Sequence, residues 1–279
     1  MLRSLFGALA RKIGVGYVEL LPGNSRMEVI ETITERQVAE IGIPSGTLKF
    51  QVHTPLLLSR AQSLLTKERD TIAWIDAMGA DDVLWDIGAN VGVYSLYAAA
   101  QAKCRVLAFE PSAANYLVLS RNVEANGLGS RVAAYCVAFA GATELGVLNM
   151  ASAAVGTAMS QFGSDGEMSR YWKGKRGAAH GMIGFTIDEF VERFAPPFPT
   201  HLKIDVDGLE WPILQGARRT LGDARLKTMI VELSLTDQAE RTRSMDLLTS
   251  CGLRLSSQGE MQGVGEEKAA NHLFVRARG

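Results

Sequence analysis

The sequence has no excess of basic charge. Lys and Arg number 29 against 30 Asp and Glu, a formal net charge of −1 over 279 residues. Neutralising a phosphate backbone needs a cationic face, so a nucleic acid is not the expected partner. Cysteine is scarce. Cys104, Cys136 and Cys251 are odd in number and far apart, with no C-x-x-C pair or His/Cys cluster. They indicate neither a disulfide framework nor a structural zinc site, and read as small buried hydrophobes in a reducing compartment. No apolar run approaches the roughly 18 residues that a membrane-spanning helix needs. Internal repeats and low-complexity tracts are also missing. What is present is ordinary for one large globular domain, 47% hydrophobic and 21% charged, and a cytoplasmic location is expected.

At the N-terminus, residues 1–12 place Leu2, Leu5, Phe6 and Leu9 among Arg3, Arg11 and Lys12. The apolar part is too short and interrupted for a signal peptide. It reads as an amphipathic helix docked on the domain, with weak membrane-surface contact as its other use. Residues 1–66 form an appendage of helix and short strand, with Leu48–Val52 alternating as a strand and Leu56–Leu65 spaced as a helix.

The rhythm then becomes strand, helix, strand, helix. A helix is expected over Lys67–Met78 and a buried strand over Val83–Ile87. A helix over Val91–Gln101, a strand over Arg105–Phe109, a helix ending near Asn126-Gly127 and a strand over Arg131–Ala138 follow. Such alternation implies right-handed crossovers and a parallel sheet covered on both faces. Residues 141–184, rich in Gly, Ala, Ser and Met, read as an irregular, substrate-facing segment. Thr186 with Glu189 forms a capping-box start. A strand over His201–Asp205, a helix over Leu209–Leu221, a strand over Leu226–Leu233 and a helix over Ala239–Ser250 come next. The end reads as a strand at His272–Val275, paired antiparallel with Leu253–Leu255.

Asp86-Ile87-Gly88-Ala89-Asn90-Val91-Gly92 is a strand end, a glycine turn and a helix start. In open α/β sheets such turns hold a nucleotide beyond the carboxyl ends of the strands. Glu110 ends the next strand, where an acid accepts from ribose hydroxyls. A nicotinamide-dependent oxidoreductase would share that much. Its fingerprint, however, opens on glycine and faces a pyrophosphate, which the carboxylate of Asp86 would repel. A sulfonium and an α-amino group would instead attract it, and S-adenosylmethionine carries both.

The frame Trp85–Ser95, Phe109-Glu110-Pro111-Ser112 with Asn115-Tyr116, and Asn122–Asn126 resemble the FkbM-type methyltransferases. So do Lys203-Ile204-Asp205-Val206-Asp207-Gly208-Leu209-Glu210, Ile213–Ala217 and Ile230–Leu233. The resemblance runs from about Lys67 to the C-terminus, and Asp207 stands where the family usually has Glu. It implies a methyltransferase domain over residues 67–279 with a class I, Rossmann-like α/β fold. That fold is a seven-stranded, mostly parallel sheet with helices on both faces and the last strand antiparallel. It also implies O-methylation, commonly of sugar hydroxyls in glycans, lipopolysaccharides or glycosylated natural products, and sometimes of polyketides; nitrogen acceptors are the other alternative. Cofactor contacts are expected from Asp86, Gly88, Ala89, Asn90, Gly92, Glu110, Pro111, Ser112, Asn115 and Ala138.

Methyl transfer to a neutral hydroxyl calls for alignment and a base. Asp205, Asp207 and Glu210 are the candidates, as a base, as holders of an acceptor-orienting divalent cation or, for Glu210, as a helix N-terminal charge. No dedicated metal ligands are expected. His180 is an alternative base from the irregular segment, whereas His201 starts its strand at the wrong end. Lys203 projects to the same face as Asp205 and needs a buried partner, for which Asp86, Asp205 and Glu232 are available. Tyr171, Trp172, Lys173, Lys175 and Arg176 would serve a sugar face or a solvated loop. Lys67–Thr71 matches a family stretch without an assigned role. The acceptor, the oligomeric state and the role of the appendage are not readable.

Overall fold

The structure is a computed structural model that describes residues 14–158, 160–163, 177–261 and 268–277. Residues 1–12 and Tyr171–Arg176, on which the amphipathic helix and the aromatic–basic stretch were expected, lie outside the described residues. Helix α1 spans Gly23–Glu35, then hairpin strands β1 (Val38–Ile43) and β2 (Gly46–Gln51), α2 (Pro55–Gln62) and α3 (Arg69–Asp76) follow. Strand β3 (Val83–Ile87) leads into α4 (Val93–Tyr97), which continues as a π-helical turn over Ala98–Ala102. Next come β4 (Arg105–Phe109), α5 (Ala113–Ala125), β5 (Val132–Tyr135), β6 (Ala138–Phe139), β7 (Glu144–Met150), β8 (Ser160–Gly163) and β9 (Ala178–Phe185). The chain continues through α6 (Ile187–Phe194), β10 (His201–Ile204), α7 (Glu210–Gln215), α8 (Arg218–Gly222), β11 (Thr228–Ser234), α9 (Gln238–Ser250), β12 (Leu253–Gln258) and β13 (Ala269–Arg276).

A seven-stranded mixed sheet organises the chain in the order β12-β13-β11-β10-β3-β4-β5. Strands β11, β10, β3, β4 and β5 are mutually parallel, and β13 pairs antiparallel with both β11 and β12. The parallel strands are short apolar runs because both faces are covered. Successive residues of β3 serve opposite sides. Trp85 and Ile87 join a core with Phe109, Phe139 and Phe190, whereas Leu84 joins Trp74, Ile75, Leu96 and Tyr97 on the other. Phe190 meets Phe139 and Phe109 edge-on at 5.4 and 5.5 Å between centroids, an arrangement that adds to the burial energy of the rings.

Two expectations need correction. Residues 141–184 are not irregular throughout, because β7, β8 and β9 lie within them and form a second sheet, β6-β9-β7-β8. The glycines that suggested loop have another purpose. A Cβ at Gly146 or Gly184 would sit 2.6 or 2.4 Å from the Phe162 ring, so both strands are kept bare for that ring. The single helix expected over Leu209–Leu221 is two, broken at Gly216, where a Cβ would meet the Ala140 carbonyl oxygen at 3.0 Å. The Thr186 cap holds as read, with Oγ1 accepting from the Glu189 amide at 3.1 Å, but the Thr186 amide donates to Thr143 Oγ1 at 3.0 Å, so the reciprocal half of the capping box is not formed by Glu189.

The β1–β2 hairpin is part of the main body. Leu48 and Phe50 are buried in the core beneath β3 and β4. Asn122 Oδ1 and Asn126 Oδ1 accept from the amides of Gln51 and Lys49, both at 2.8 Å, and so satisfy the edge of β2. Asn122 Nδ2 also donates to the Val91 carbonyl at 2.9 Å. One side chain therefore joins the hairpin to the glycine turn.

Candidate active site

The turn after β3 is held by close contact with β10. Gly88 has φ +85°, and a Cβ there would lie 1.8 Å from the Asp205 carbonyl oxygen. Only glycine allows both the conformation and the approach. The Asp205 amide donates to the Ile87 carbonyl at 3.0 Å, so the two strand ends form one edge. Asp86 is 2% exposed. Its carboxylate accepts from Ser95 Oγ at 2.5 Å and lies beneath the turn, where burial raises its pKa against the opposing charge of Lys203.

Glu110 stands beyond β4. It accepts from the amides of Asn90 (2.8 Å) and Ser112 (2.9 Å) and from Asn115 Nδ2 (3.3 Å). Burial nonetheless pushes its carboxyl up to about 7. The amide donors favour the anion and desolvation disfavours it; here desolvation wins.

Beside the turn, Lys203 Nζ donates to Asp205 Oδ2 at 2.6 Å. Lys203 is 1% exposed and lies 5.2 Å from the Tyr94 ring centroid. Burial pulls its ammonium down, but the charges of Asp205, Glu68 and Asp86 more than reverse this and hold it well above the lysine range. Burial likewise pushes Asp205 up, and the Lys203 charge and hydrogen bond outweigh it, so Asp205 titrates below the ordinary carboxylate range. Its side chain keeps 27% of its surface exposed. An ionised, accessible carboxylate thus stands at the end of β10.

Residues 86–255 match the model of the methyltransferase FkbM domain. The chain belongs to this family. It is an S-adenosylmethionine-dependent methyltransferase, and the nicotinamide alternative falls away. Similar solved structures include precorrin-6y C5,15-methyltransferase from Geobacter metallireducens, at 14% identity and TM-score 0.45, covering 78% of this chain and 92% of that one. Another is M. jannaschii TYW2 in complex with AdoMet, at 10% identity and TM-score 0.41, covering 86% and 87%. A third is M. capricolum TrmK in complex with S-adenosylhomocysteine, at 11% and 0.42, covering 74% and 67%. No curated protein matches the chain.

An acid at a strand end is the acceptor that the ribose hydroxyls of the cofactor would call for. Glu110 is a strand-end acid whose donors, the Asn90 and Ser112 amides and Asn115 Nδ2, are all neutral. Gly88, Pro111 and Ala138 line a slot with Leu148, Phe162 and Leu209. The slot encloses a cavity of about 20 Å³, space for about one water and not for a nucleoside. Residues 151–158 are bonded to two of the groups that hold Glu110. The Thr157 carbonyl accepts from Asn90 Nδ2 (3.0 Å) and Asn115 Nδ2 (3.1 Å), and the Gly156 amide donates to Asn115 Oδ1 (2.7 Å). This strap is tied to Asn90 and Asn115, the neighbours of Glu110, which is 4% exposed. A larger open cavity of about 560 Å³, lined by Lys227, Arg254 and Arg276, lies at the amino ends of the strands, away from these residues.

Of the acids expected near the acceptor, Asp207 and Glu210 follow Asp205 on one tight turn. Asp207 has φ 56°, and Gln161 Nε2 donates to its carbonyl at 2.7 Å. Glu210 is 4% exposed and accepts from the amides of Val206 and Gly208, both at 3.2 Å. It clamps the turn from the first residue of α7, and burial pushes it up to about 8. His180 lies on β9 opposite Leu148, and no hydrogen bond or ion pair among the described residues joins it to Asp205. No group of three or more His, Cys, Asp or Glu among them is arranged to hold a metal ion. His201 is structural in its contacts, with Nδ1 2.7 Å from Thr228 Oγ1 and Nε2 3.4 Å from Asp82.

Two acids were left out of the expected site. Glu232 is raised well above its ordinary range, first by the charge of Asp205 and then by burial. It lies two residues before the end of β11, near enough to the carboxyl end that the rule that exposed Asp86, Glu110 and Asp205 would have found it. Glu68, from the stretch without an assigned role, is 5% exposed. It accepts from Thr71 Oγ1 and Asn271 Nδ2, both at 3.0 Å, and acts on both Tyr94 and Lys203.

Proposed function

We propose that the chain transfers a methyl group to a hydroxyl of a sugar in a glycan, a lipopolysaccharide or a glycosylated natural product, with Asp205 as the general base. The observation that carries this reading is the Lys203–Asp205 pair, which keeps an exposed carboxylate ionised at the edge of the cofactor turn. The bound cofactor supplies a methyl group on a sulfonium. Asp205 aligns the acceptor hydroxyl and takes its proton as the new O–CH₃ bond forms. The C–S electron pair stays with the departing thioether. Glu110, Asn90 and Asn115 hold the nucleoside end, and Gly88 lets the backbone come close.

The charge of Asp205, then burial, then the charges of Glu210 and Asp207 hold Glu232 protonated near neutrality. Such a site disfavours carboxylate or phosphate acceptors and suits one rich in neutral hydroxyls, whose donors carboxyl oxygens accept. We place the reaction in the cytoplasm, consistent with three free cysteines. No helix among the described residues is long and apolar enough to cross a membrane.

The deciding experiment is turnover of methyl-labelled S-adenosylmethionine on a cell-envelope glycan extract. Alkali-stable label on a neutral sugar supports the reading. Label on nitrogen or on a non-sugar hydroxyl replaces it.

A pH effect follows from Glu110. Its raised pKa leaves it protonated below about pH 7 and ionised above. The ionised form is the better acceptor for two ribose hydroxyls. Affinity for S-adenosylhomocysteine should therefore fall roughly tenfold between pH 8 and pH 6. Glu110→Gln should bind weakly at both, with the pH dependence gone. A pH-independent wild-type Kd would remove Glu110 from the ribose.

A further inference from the structure

Arg60 is the residue from which the strap hangs. It lies on α2, outside the matched 86–255 span. Its Nε donates to the Gly156 carbonyl at 2.6 Å. The amide of the same glycine donates to Asn115 Oδ1, and the next carbonyl, of Thr157, accepts from both Asn90 and Asn115. Gly156 has φ +82° and sits against Leu57, a helical turn before Arg60, with Cβ-to-Cδ2 space of only 3.1 Å. Val155 packs against Leu57, Val91 and Val118. The strap is thus held from above by α2 and from below by the two asparagines that flank Glu110.

We propose that Arg60 is a positioning residue that holds residues 151–158 closed over the nucleoside end of the cofactor site. The strap must lift for S-adenosylmethionine to enter, and it closes again on Arg60. The inference rests on the reading that Asn90, Glu110 and Asn115 hold the nucleoside. Glu110 is 4% exposed, and Asn90 Nδ2 and both ends of the Asn115 amide are taken up by the strap, so these groups must be released before they can hold a nucleoside. A guanidinium-to-carbonyl bond is a charge-assisted contact stronger than a neutral one. Arg60 also acts on Asp205, lowering its pKa together with Lys203 and Lys67.

The experiment uses the full chain with S-adenosylhomocysteine as the probe. It records stopped-flow binding, hydrogen exchange over residues 151–158, and thermal stability. In the wild type, the probe should slow exchange at Gly156 and Thr157. Arg60→Gln should speed probe dissociation about tenfold, the loss of one charged hydrogen bond, and should cancel that slowing at unchanged melting temperature. Arg60→Lys, which keeps the charge without the planar fork, should recover part of the effect. Gly156→Ala disturbs the same contact from the strap and should reproduce the faster dissociation, which keeps the test open should one Arg60 variant fold poorly. Unchanged dissociation in both Arg60→Gln and Gly156→Ala overturns the proposal while leaving the cofactor site intact. No binding of the probe to the wild type overturns both.

Discussion

Replacing Asp205 by Asn should lower kcat by about three orders of magnitude, within the range seen for loss of a general base, and leave affinity for S-adenosylhomocysteine within a few fold. The substitution keeps the shape of the side chain. It also keeps the backbone contacts, the amide of residue 205 to the Ile87 carbonyl and the carbonyl of residue 205 against Gly88, so the cofactor turn is left in place. What it removes is the anion. Because Lys203 holds Asp205 below the ordinary carboxylate range, the wild-type base is ionised throughout the neutral range. Any acid limb of the rate near pH 7 then belongs to another group, and Glu110, at about 7, is the nearest.

A second readout separates this role from a structural one. Glu232 is pushed up first by the charge of Asp205, so Asp205→Asn should bring its titration down toward the usual range, visible by carboxyl-carbon NMR. Single-turnover kinetics with labelled donor and calorimetry with the probe measure the rest. Lost affinity with the rate per bound enzyme retained would move Asp205 into the cofactor site. An unchanged rate would move the base to Asp207.

The parts of the site that were legible in sequence share one physical cause. Parallel strands buried on both faces are short apolar runs, and a carboxylate at the carboxyl end of such a run is conspicuous, as at Asp86, Glu110 and Asp205. Lys203 was legible as a buried charge needing a partner because two residues along a strand return to the same face, and its Nζ reaches Asp205 at 2.6 Å. Residues 144–185 were obscure for the opposite reason. Gly146 and Gly184 are strand residues kept bare for the Phe162 ring, and a glycine that serves packing looks the same in sequence as one that serves a turn. Glu68 was obscure because, beyond Thr71, its partners lie at a distance, in Asn271 and Lys203. Arg60 was obscure in the same way, 96 residues from the carbonyl it holds.

Lys203→Met should destabilise the fold by about 3–5 kcal/mol at pH 8, the usual consequence of leaving buried charge uncompensated. For a chain of this size that corresponds to a fall in Tm of roughly 10 °C. The ammonium lies 1% exposed among Asp205, Asp86 and Glu68, and methionine fills its volume without its charge. The pH dependence carries the diagnosis. In the wild type, Lys203 titrates above its unfolded value, so its contribution is complete at neutrality and is lost only as pH rises through the folded pKa. Asp205 titrates below its unfolded value, so its contribution is present above that value and is lost as pH falls through the folded pKa. Both are in force near pH 7. Without the ammonium, Asp205 and Asp86 keep burial and mutual repulsion and lose their counter-charge, so their folded pKa values rise above the unfolded ones. The folded variant then binds more protons than the unfolded chain, and its stability falls as pH rises. The deficit in urea midpoint should therefore be widest at pH 8 and narrow toward pH 5. Adding Asp205→Asn to Lys203→Met should recover part of it, because two neighbours that share a contact are not additive. A deficit equal at pH 5 and pH 8, or a double variant no more stable than Lys203→Met alone, would mean that packing around the lysine stem, and not the charge among the three acids, holds β10 against β3.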